Sequence, residues 1–289
     1  MPVLDRVIDA PPEWGGIIPT EVFLEEGKHL VDEATKRSIP IRLLGGVAIR
    51  LHCMEYVDFA KKLGRLGEGE QEYTDLDYMS YSKFRDKMKL FFKEIGYERR
   101  PTTLSSAATQ RQIYFHPKGW FYVDVFFDQL KAANHPINFK GRLEADSPTV
   151  SPTELLLEKV QIVFPGEKDI KDTLLLLRAH QIAWKEEPDT INGKFVAEKL
   201  ASDWGFWYTV TTNLKALQAF VAEFQNLTED EKLDLTTKAT TLLDMIEKEP
   251  KSTGWKMRST IGTKKKWYEP VETSESVGGF GIWRLREEK

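Results

Sequence analysis

Two aspartates separated by one apolar residue restrict the fold of this chain more than any other motif. Asp75 and Asp77 flank Leu76 in the stretch EYTDLDYMS, residues 72–80. Side chains alternate between faces in a β-strand, so Leu76 can enter a core while both carboxylates project from the other face, with Cα atoms roughly 6.5 Å apart. Like charges this close repel by about 3 kcal/mol at an effective dielectric near 20. The pair therefore either lies in open solvent or binds a cation.

A pair of glycines follows the first predicted strand. IPIRLL, residues 39–44, indicates a short buried strand, and Gly45 and Gly46 lead from it into a helix that we predict over residues 47–64. This order directs backbone N–H groups at whatever lies above the turn, and the missing Cβ atoms let a phosphate approach. The sequence contains no Walker A motif, so the corner predicts a triphosphate site of another kind.

A third acid lies in a later strand-like stretch. Asp124 is part of FYVDVFFD, residues 121–128, whose aromatic and β-branched residues are typical of a buried strand. A lone acid among them costs free energy unless it is paired or binds a metal. Asp128 is nearer the strand end and is more typical of an exposed residue. Each motif alone has an ordinary explanation as a turn, a solvated edge or a salt bridge, but their order along the chain is far more specific.

The composition predicts a globular protein. The chain has 289 residues and a formal net charge of -4, which argues against wholesale coating of nucleic acid or adhesion to a membrane. Its one cysteine, Cys53, has no partner for an internal disulfide and lies in a predicted helix, where a buried, inert thiol is expected. The sequence shows neither a basic-then-apolar leader nor a run of about 18 apolar residues. These features predict a cytoplasmic protein with no membrane partner.

The two halves of the chain differ in their predicted secondary structure. The first half mixes strands with helices predicted near residues 21–37 and 82–96, and it has a β-hairpin turn at residues 116–119. We therefore predict an α+β protein, with a mixed sheet flanked by helices in residues 1–146 and a mainly helical domain in residues 147–289.

The C-terminal tail is rich in tryptophan and lysine. It holds three of the eight tryptophans and the run Lys264, Lys265 and Lys266. Tryptophan this dense predicts that the tail packs back onto the body of the protein.

Several of these motifs together resemble a known family. LLGGVAIRLHC, YTDLDYMS and FYVDVFFDQL are similar to the nucleotidyltransferase superfamily, specifically to bacterial nucleotidyltransferase-like proteins related to abortive-infection toxins. The stretches HPINFKGRL, SPTELLLEKVQIVFPGEKDIKDTLLLLRAH, DWGFWYTVTTNL and WKMRSTIGTKKKWY extend the likeness over roughly residues 40–270.

The resemblance implies a polymerase-β-like fold and a two-metal site. It implies that Asp75 and Asp77 bind two Mg²⁺ ions, with Mn²⁺ as a substitute, and that Asp124 completes the site. Gly45 and Gly46 then hold the phosphates of an NTP.

The resemblance also implies roles for residues of the second half. Lys159 is implied as a phosphate contact, and the KDIKD helix supplies Lys168, Asp169 and Asp172 as substrate contacts or support. The residues themselves leave alternatives open. A lysine on an apolar helix face commonly snorkels to solvent, and acids near a helix start also stabilise the helix dipole.

The histidines give weaker predictions. His135 and Arg142 are candidates for contact with a substrate, although a turn histidine and a surface arginine are the commoner outcomes. His29, His52 and His180 lie in predicted helical segments without metal-ligand partners, so the sequence predicts no zinc site.

These motifs predict a metal-dependent nucleotidyltransferase that moves an NMP from an NTP to an acceptor hydroxyl. The acceptor is an RNA end, a small molecule or a protein. A tRNA or other RNA is a candidate because the basic and aromatic residues of 255–268 could line a nucleic-acid path, although packed tryptophans beside a solvated charge run explain them equally well. The competing hypothesis is a non-catalytic nucleotide-binding or partner-binding module of the same fold, such as a toxin-antitoxin component.

Overall fold

A computed structural model of the chain describes residues 10–65, 71–101, 111–132 and 135–269. These residues divide into two compact units, each built from several segments of the chain. The first unit comprises the described residues of 1–51, 66–130 and 138–150. The second unit comprises those of 52–65, 131–137 and 151–289.

Helices and short strands alternate in the first half of the chain, and helices dominate the second half. The helices are α1 Thr20–Lys36, α2 Gly45–His52, α3 Val57–Lys62, α4 Arg85–Glu94, α5 Pro152–Val160, α6 Glu167–Ala179, α7 Gly193–Ser202, α8 Trp204–Glu223, α9 Glu229–Lys248 and α10 Thr253–Ile261. The strands are β1 Ile41–Leu44, β2 Asp75–Ser80, β3 Glu98–Arg99, β4 Arg111–Phe115, β5 Tyr122–Phe127, β6 Gln129–Ala132, β7 His135–Asn138, β8 Gln181–Ala183 and β9 Thr190–Asn192.

A five-stranded mixed sheet organises the first unit. Its strands follow the order β1-β2-β5-β4-β3. β2 and β5 are parallel, whereas β1 with β2, β4 with β5 and β3 with β4 are antiparallel. The antiparallel pair β4 and β5 confirms the hairpin predicted around residues 116–119. The predicted α+β fold, with a mixed sheet and a helical C-terminal region, is confirmed.

One face of this sheet is the core of the first unit. Every second residue of β5 is fully buried, namely Val123, Val125 and Phe127. Helix α1 covers β1 and β2 closely, because the Tyr78 hydroxyl donates a hydrogen bond of 3.0 Å to the carbonyl of Gly27. The alternate residues of β2 and β5, among them Asp77 and Asp124, lie on the other face.

The prediction of one continuous helix over residues 47–64 is wrong. Helix α2 ends at His52, a 3-10 turn spans Met54–Tyr56, and α3 begins at Val57. Cys53 breaks the helix with φ −112°, and it is fully buried, as predicted for an inert thiol. The apolar pattern continues across the break, so periodicity alone does not reveal it.

The second unit is mainly helical. Several of its helices begin with side-chain caps: the Asp203 side chain accepts from the backbone N–H of Phe206, and Thr228 forms a capping box with Glu231. The described part of the tail packs onto this unit, as predicted. The Trp267 indole donates to Thr209 Oγ1 at 3.1 Å.

None of the described helices combines the length and the hydropathy that crossing a bilayer requires.

We predict that Gly27→Val destabilises the first unit. A Cβ at this position meets Leu43 Cδ1 at 3.0 Å and Leu76 Cδ2 at 3.6 Å. Overpacking of this kind costs about 2 kcal/mol of unfolding free energy, measurable by urea denaturation. The control is Gly254→Val in α10, where nothing lies within 4 Å of a Cβ. Equal losses in the two variants would contradict the packing explanation.

Candidate active site

Strand register brings the three predicted aspartates to one face of the sheet. Asp77 lies directly opposite Asp124 in the parallel pair of β2 and β5. Paired strands lie about 4.8 Å apart, and residues directly opposite point to the same face. Asp75 is two residues before Asp77 in β2 and therefore shares that face. Asp75 is exposed, whereas Asp77 and Asp124 are both half-buried, and the Asp124 side chain is 14% exposed.

Gly45 forms a corner against Asp77. β1 is antiparallel to β2 with Leu44 opposite Asp77, so α2 begins at Gly45 beside the first acids of β2. The Gly45 backbone has φ +73°, and a Cβ there would lie 2.9 Å from Asp77 Oδ2. Only glycine fits without moving this carboxylate. Gly46 is half-buried in the first turn of α2. The strand, Gly-Gly and helix follow one another as predicted.

An arginine that the sequence analysis missed pairs with Asp124. Arg111 Nη1 lies 2.9 Å from Asp124 Oδ2. The β4–β5 register places Ile113 opposite Asp124, so Arg111 is a diagonal neighbour on the same face. The hairpin predicted at residues 116–119 indicates that the strand of Arg111 lies beside the strand of Asp124, but it does not give their register. Arg111 is 38% exposed.

Burial makes Asp124 an unusual acid. It raises the pKa of Asp124 from 3.8 to about 6, although Arg111 opposes the shift and the negative charge of Asp75 adds to it. The second oxygen, Oδ1, is buried and has no hydrogen-bond partner in the structure. A buried carboxylate oxygen without a partner is costly, and a bound cation would satisfy it.

The three aspartates share a face, but their oxygens do not converge on one point. Among the described residues, three ligand atoms that all lie within 4.8 Å of one another occur at His52, His180 and Asp189. The aspartates form no such set. We predicted that His52 and His180 have no metal-ligand partners, and this prediction is wrong.

Lys159, Asp169 and Asp172 form a buried ionic cluster in the second unit. Lys159 Nζ lies 3.2 Å from Asp172 Oδ2 and 3.4 Å from Asp169 Oδ1. Arg65 Nε, which the sequence analysis also missed, lies 2.6 Å from Asp172 Oδ1. The Lys159 side chain is only 12% exposed, so it does not snorkel to solvent.

The cluster keeps Lys159 charged. Burial alone would lower the pKa of Lys159, but Asp172, Asp169 and Glu158 outweigh burial and raise the pKa above its ordinary value. Asp169 also accepts a hydrogen bond of 3.1 Å from the backbone N–H of Gly166, at the start of α6. The helix-start role of Asp169 is therefore present, and the phosphate role of Lys159 stays a prediction.

The other predicted contacts have different surroundings. His135 belongs to the second unit, where it is 1% exposed, lies 3.0 Å from Thr209 Oγ1 and stacks on Phe206. Burial lowers its pKa to about 4, against the opposing influence of Asp203. Lys168 is exposed in the first turn of α6, and Arg142 is half-buried in the first unit after β7. Their roles toward a substrate stay predictions.

Comparisons with known proteins give little guidance. No protein-family model matches the sequence, and no curated protein matches it. Among solved structures, the chain is similar to the solution structure of the antibiotic-resistance factor ANT(2'')-Ia. That likeness has 13% sequence identity and a TM-score of 0.35, and it covers 72% of this chain and 98% of that chain. Values this low establish no shared activity. We therefore infer function from the geometry of the acidic face, the sheet face that carries Asp75, Asp77 and Asp124.

We predict that Asp124→Asn stabilises the protein near neutral pH in the absence of divalent ions. An acid whose pKa rises on folding binds its proton more tightly when folded, so stability falls as pH rises from 3.8 to about 6. Asparagine removes this cost, and we expect a gain of about 2 kcal/mol at pH 7.5, reduced by the partner that Arg111 loses.

Urea denaturation at several pH values checks this expectation. The gain should shrink toward zero as the pH falls to about 4, where the wild-type carboxyl is protonated. Asp58→Asn is the control, because the Asp58 side chain is 97% exposed. A gain in Asp124→Asn that does not depend on pH would refute the electrostatic explanation.

We predict that Gly45→Ala costs more stability than Gly141→Ala. Both glycines have positive φ, +73° and +72°, so alanine strains the backbone by about 1 to 2 kcal/mol at each position. Only at Gly45 does the added Cβ also meet a carboxylate, whereas nothing lies within 4 Å at Gly141. Unfolding free energies of the two variants measure the difference, and equal losses would show that Asp77 does not restrict the corner.

Proposed function

We propose that this protein is a metal-dependent nucleotidyltransferase that moves an NMP from an NTP to an acceptor hydroxyl. The single observation that carries the proposal is the acidic face: Asp77 lies opposite Asp124, Asp75 shares their face, and Gly45 abuts Asp77. An acidic face bordered by a backbone corner without a side chain suits a cation together with a phosphate.

The residues present fit magnesium. Magnesium prefers oxygen ligands, and all three side chains are carboxylates. The buried, unpartnered Oδ1 of Asp124 supports a cation on this face. We propose that Asp75 and Asp77 hold two Mg²⁺ ions, or Mn²⁺, and that Asp124 joins one of them. When bound, magnesium neutralises charge on the triphosphate and lowers the pKa of the acceptor hydroxyl.

Asp124 is the proposed proton acceptor. Burial raises the pKa of Asp124 to about 6 without a cation, and a bound cation would lower it, so Asp124 is ionised at neutral pH and able to accept a proton. In the proposed reaction the acceptor oxygen bonds to the α-phosphorus, the bond from that phosphorus to the bridging oxygen breaks, and pyrophosphate leaves with its electron pair. The hydroxyl proton passes to Asp124 and then to solvent.

Gly45 and Arg111 are the proposed phosphate contacts of the first unit. Gly45 is the first residue of α2, and backbone N–H groups at a helix start bind phosphate. Arg111 is partly exposed and holds Asp124 through one nitrogen, so it can release that acid and pair with the triphosphate. For the second unit we retain Lys159 as a proposed phosphate contact; Asp169 and Asp172 pair with it, and Arg65 pairs with Asp172.

RNA is the acceptor that we propose. Lys264, Lys265 and Lys266 are exposed in the second unit. Trp255 and Tyr268 are half-buried in the same segment, and Lys266 Nζ lies 4.9 Å from the Tyr268 ring. Lysines that pair with phosphates and aromatic rings that stack on bases together bind single-stranded nucleic acid.

A non-catalytic module is the second candidate, and the Arg111–Asp124 pair favours it. An arginine can neutralise a buried acid permanently, and the chain would then bind a nucleotide or a partner protein without transferring anything. A toxin-antitoxin component is one such module.

A transfer assay separates the two candidates. We expect the purified chain, incubated with each labelled NTP, Mg²⁺ and total cellular RNA, to label RNA. Asp77→Asn should lower the rate by at least about 100-fold because it removes a proposed metal ligand, and Gly45→Ala should weaken NTP binding in calorimetry. Asp58→Asn, on an exposed side chain, should leave both unchanged.

Each outcome bears on the proposal. Nucleotide binding without label transfer would favour the module. Absence of both binding and transfer for all four nucleotides, with Mg²⁺ and with Mn²⁺, would contradict a nucleotidyltransferase.

A further inference from the structure

Two histidines and an aspartate meet in the second unit, and the proposed transfer reaction does not use them. His52, His180 and Asp189 each offer one ligand atom, and these atoms all lie within 4.8 Å of one another. His52 Nδ1 is 3.5 Å and His180 Nδ1 is 3.1 Å from Asp189 Oδ1. The two imidazole rings lie 5.5 Å apart at 84°. We propose that these side chains bind a divalent transition-metal ion of the zinc class.

Strand register explains why His180 and Asp189 meet. β8 and β9 are parallel, with Gln181 opposite Thr190. His180 directly precedes β8 and Asp189 directly precedes β9, so the two residues are neighbours across the pair. Asp189 holds a positive φ of 55°, a conformation that aspartate and asparagine tolerate better than most residues.

The ligand spacing suits a tetrahedral ion. Zinc binds histidine nitrogen and carboxylate oxygen at about 2.0 to 2.2 Å, so two ligands of a tetrahedral site lie about 3.3 to 3.5 Å apart. The distances from Asp189 Oδ1 to the two histidine nitrogens, 3.1 and 3.5 Å, lie close to this separation. His180 Nδ1 must also give up its hydrogen bond to the carbonyl oxygen of Asp189 before it can bind the ion.

The donor set selects the kind of ion. Two imidazole nitrogens and one carboxylate oxygen suit zinc, cobalt or nickel, whereas magnesium prefers oxygen alone. The Asp189 side chain is 70% exposed, so the fourth ligand is water from the solvent side.

His180 limits the affinity that we expect. Its Nδ1 also lies 3.0 Å from the carbonyl oxygen of Asp189, and its Nε2 is buried without a hydrogen-bond partner in the structure. Metal-bound histidines usually donate their other ring N–H to an acceptor, and loss of such a partner costs about 10- to 100-fold in affinity. We therefore expect a dissociation constant well above that of a fully supported zinc site.

The proposed ion links three parts of the second unit. His52 is the last residue of α2, His180 ends α6 and Asp189 closes the loop before β9. A ligand that binds the folded state alone stabilises it by mass action, so saturating zinc should raise the melting temperature by about 5 °C. The bound ion would therefore fix the loop between β8 and β9 to the ends of α2 and α6.

Cobalt titration of the untagged, chelator-treated full chain tests the proposal. We expect one Co²⁺ per chain, with the visible absorption bands of a tetrahedral site, and displacement by Zn²⁺. Asp189→Asn keeps the side-chain shape and the backbone conformation, and it should weaken binding by at least about tenfold, as should His52→Gln. Glu187→Gln, an exposed acid in the same loop, and Asp77→Asn should retain binding.

The outcomes exclude one another. Saturable binding that Asp189→Asn and His52→Gln weaken, and the two control variants retain, supports the site. Absence of saturable binding, equal affinity in Asp189→Asn and Glu187→Gln, or loss of binding only in Asp77→Asn overturns it. Asp189 is exposed, so Asp189→Asn should fold, and circular dichroism checks that it does. Failure of the transfer assay leaves this result unaffected, because the two sites share no ligand.

Discussion

The parallel pairing of β2 with β5 is the constraint on which the acidic face depends. It places Asp77 opposite Asp124 and leaves the alternate residues of both strands to the core. A shift of one residue in this register would turn Asp124 inward and bring Val123 or Val125 to the polar face, at the cost of buried apolar area. The hydrophobic alternation of two strands therefore fixes the positions of the carboxylates, and the chemistry of the face follows from the packing of the opposite one.

The acids of the two units are neutralised in different ways. In the second unit both oxygens of Asp172 contact cations, Arg65 on one side and Lys159 on the other. In the first unit Asp124 contacts Arg111 through one oxygen, while its other oxygen is buried without a partner. Breaking a buried ion pair by removing one partner is strongly destabilising, so the pair of Arg65 with Asp172 suits a structural role. The incomplete pairing of Asp124 suits a site that receives a ligand.

Short-range sequence patterns predicted the elements of the first unit. The side chains that meet across those elements depend on long-range strand register, which the patterns do not give. The alternation around Leu76 and the glycines after β1 are local signals, and the strand, corner and helix follow them. The partner of Asp124 depends on which residue of β4 lies across from it, and the partner of Asp172 depends on the break at Cys53 that starts a separate helix before Arg65. The meeting of His180 and Asp189 likewise depends on a two-strand register of three residues each, which is too short to give a periodic signal.

The order of strands in the sheet has a consequence for how the first unit folds. β4 and β5 are joined by a short turn and pair locally, whereas β2 reaches β5 only after a long stretch of intervening chain. Closing that longer loop costs more entropy, so we expect the hairpin to form early and β2 to dock later. Asp77 and Asp124 then stay apart in the denatured ensemble, and their electrostatic repulsion arises only at the docking step. Because salt screens the repulsion between two like charges, we expect the docking step to depend on ionic strength.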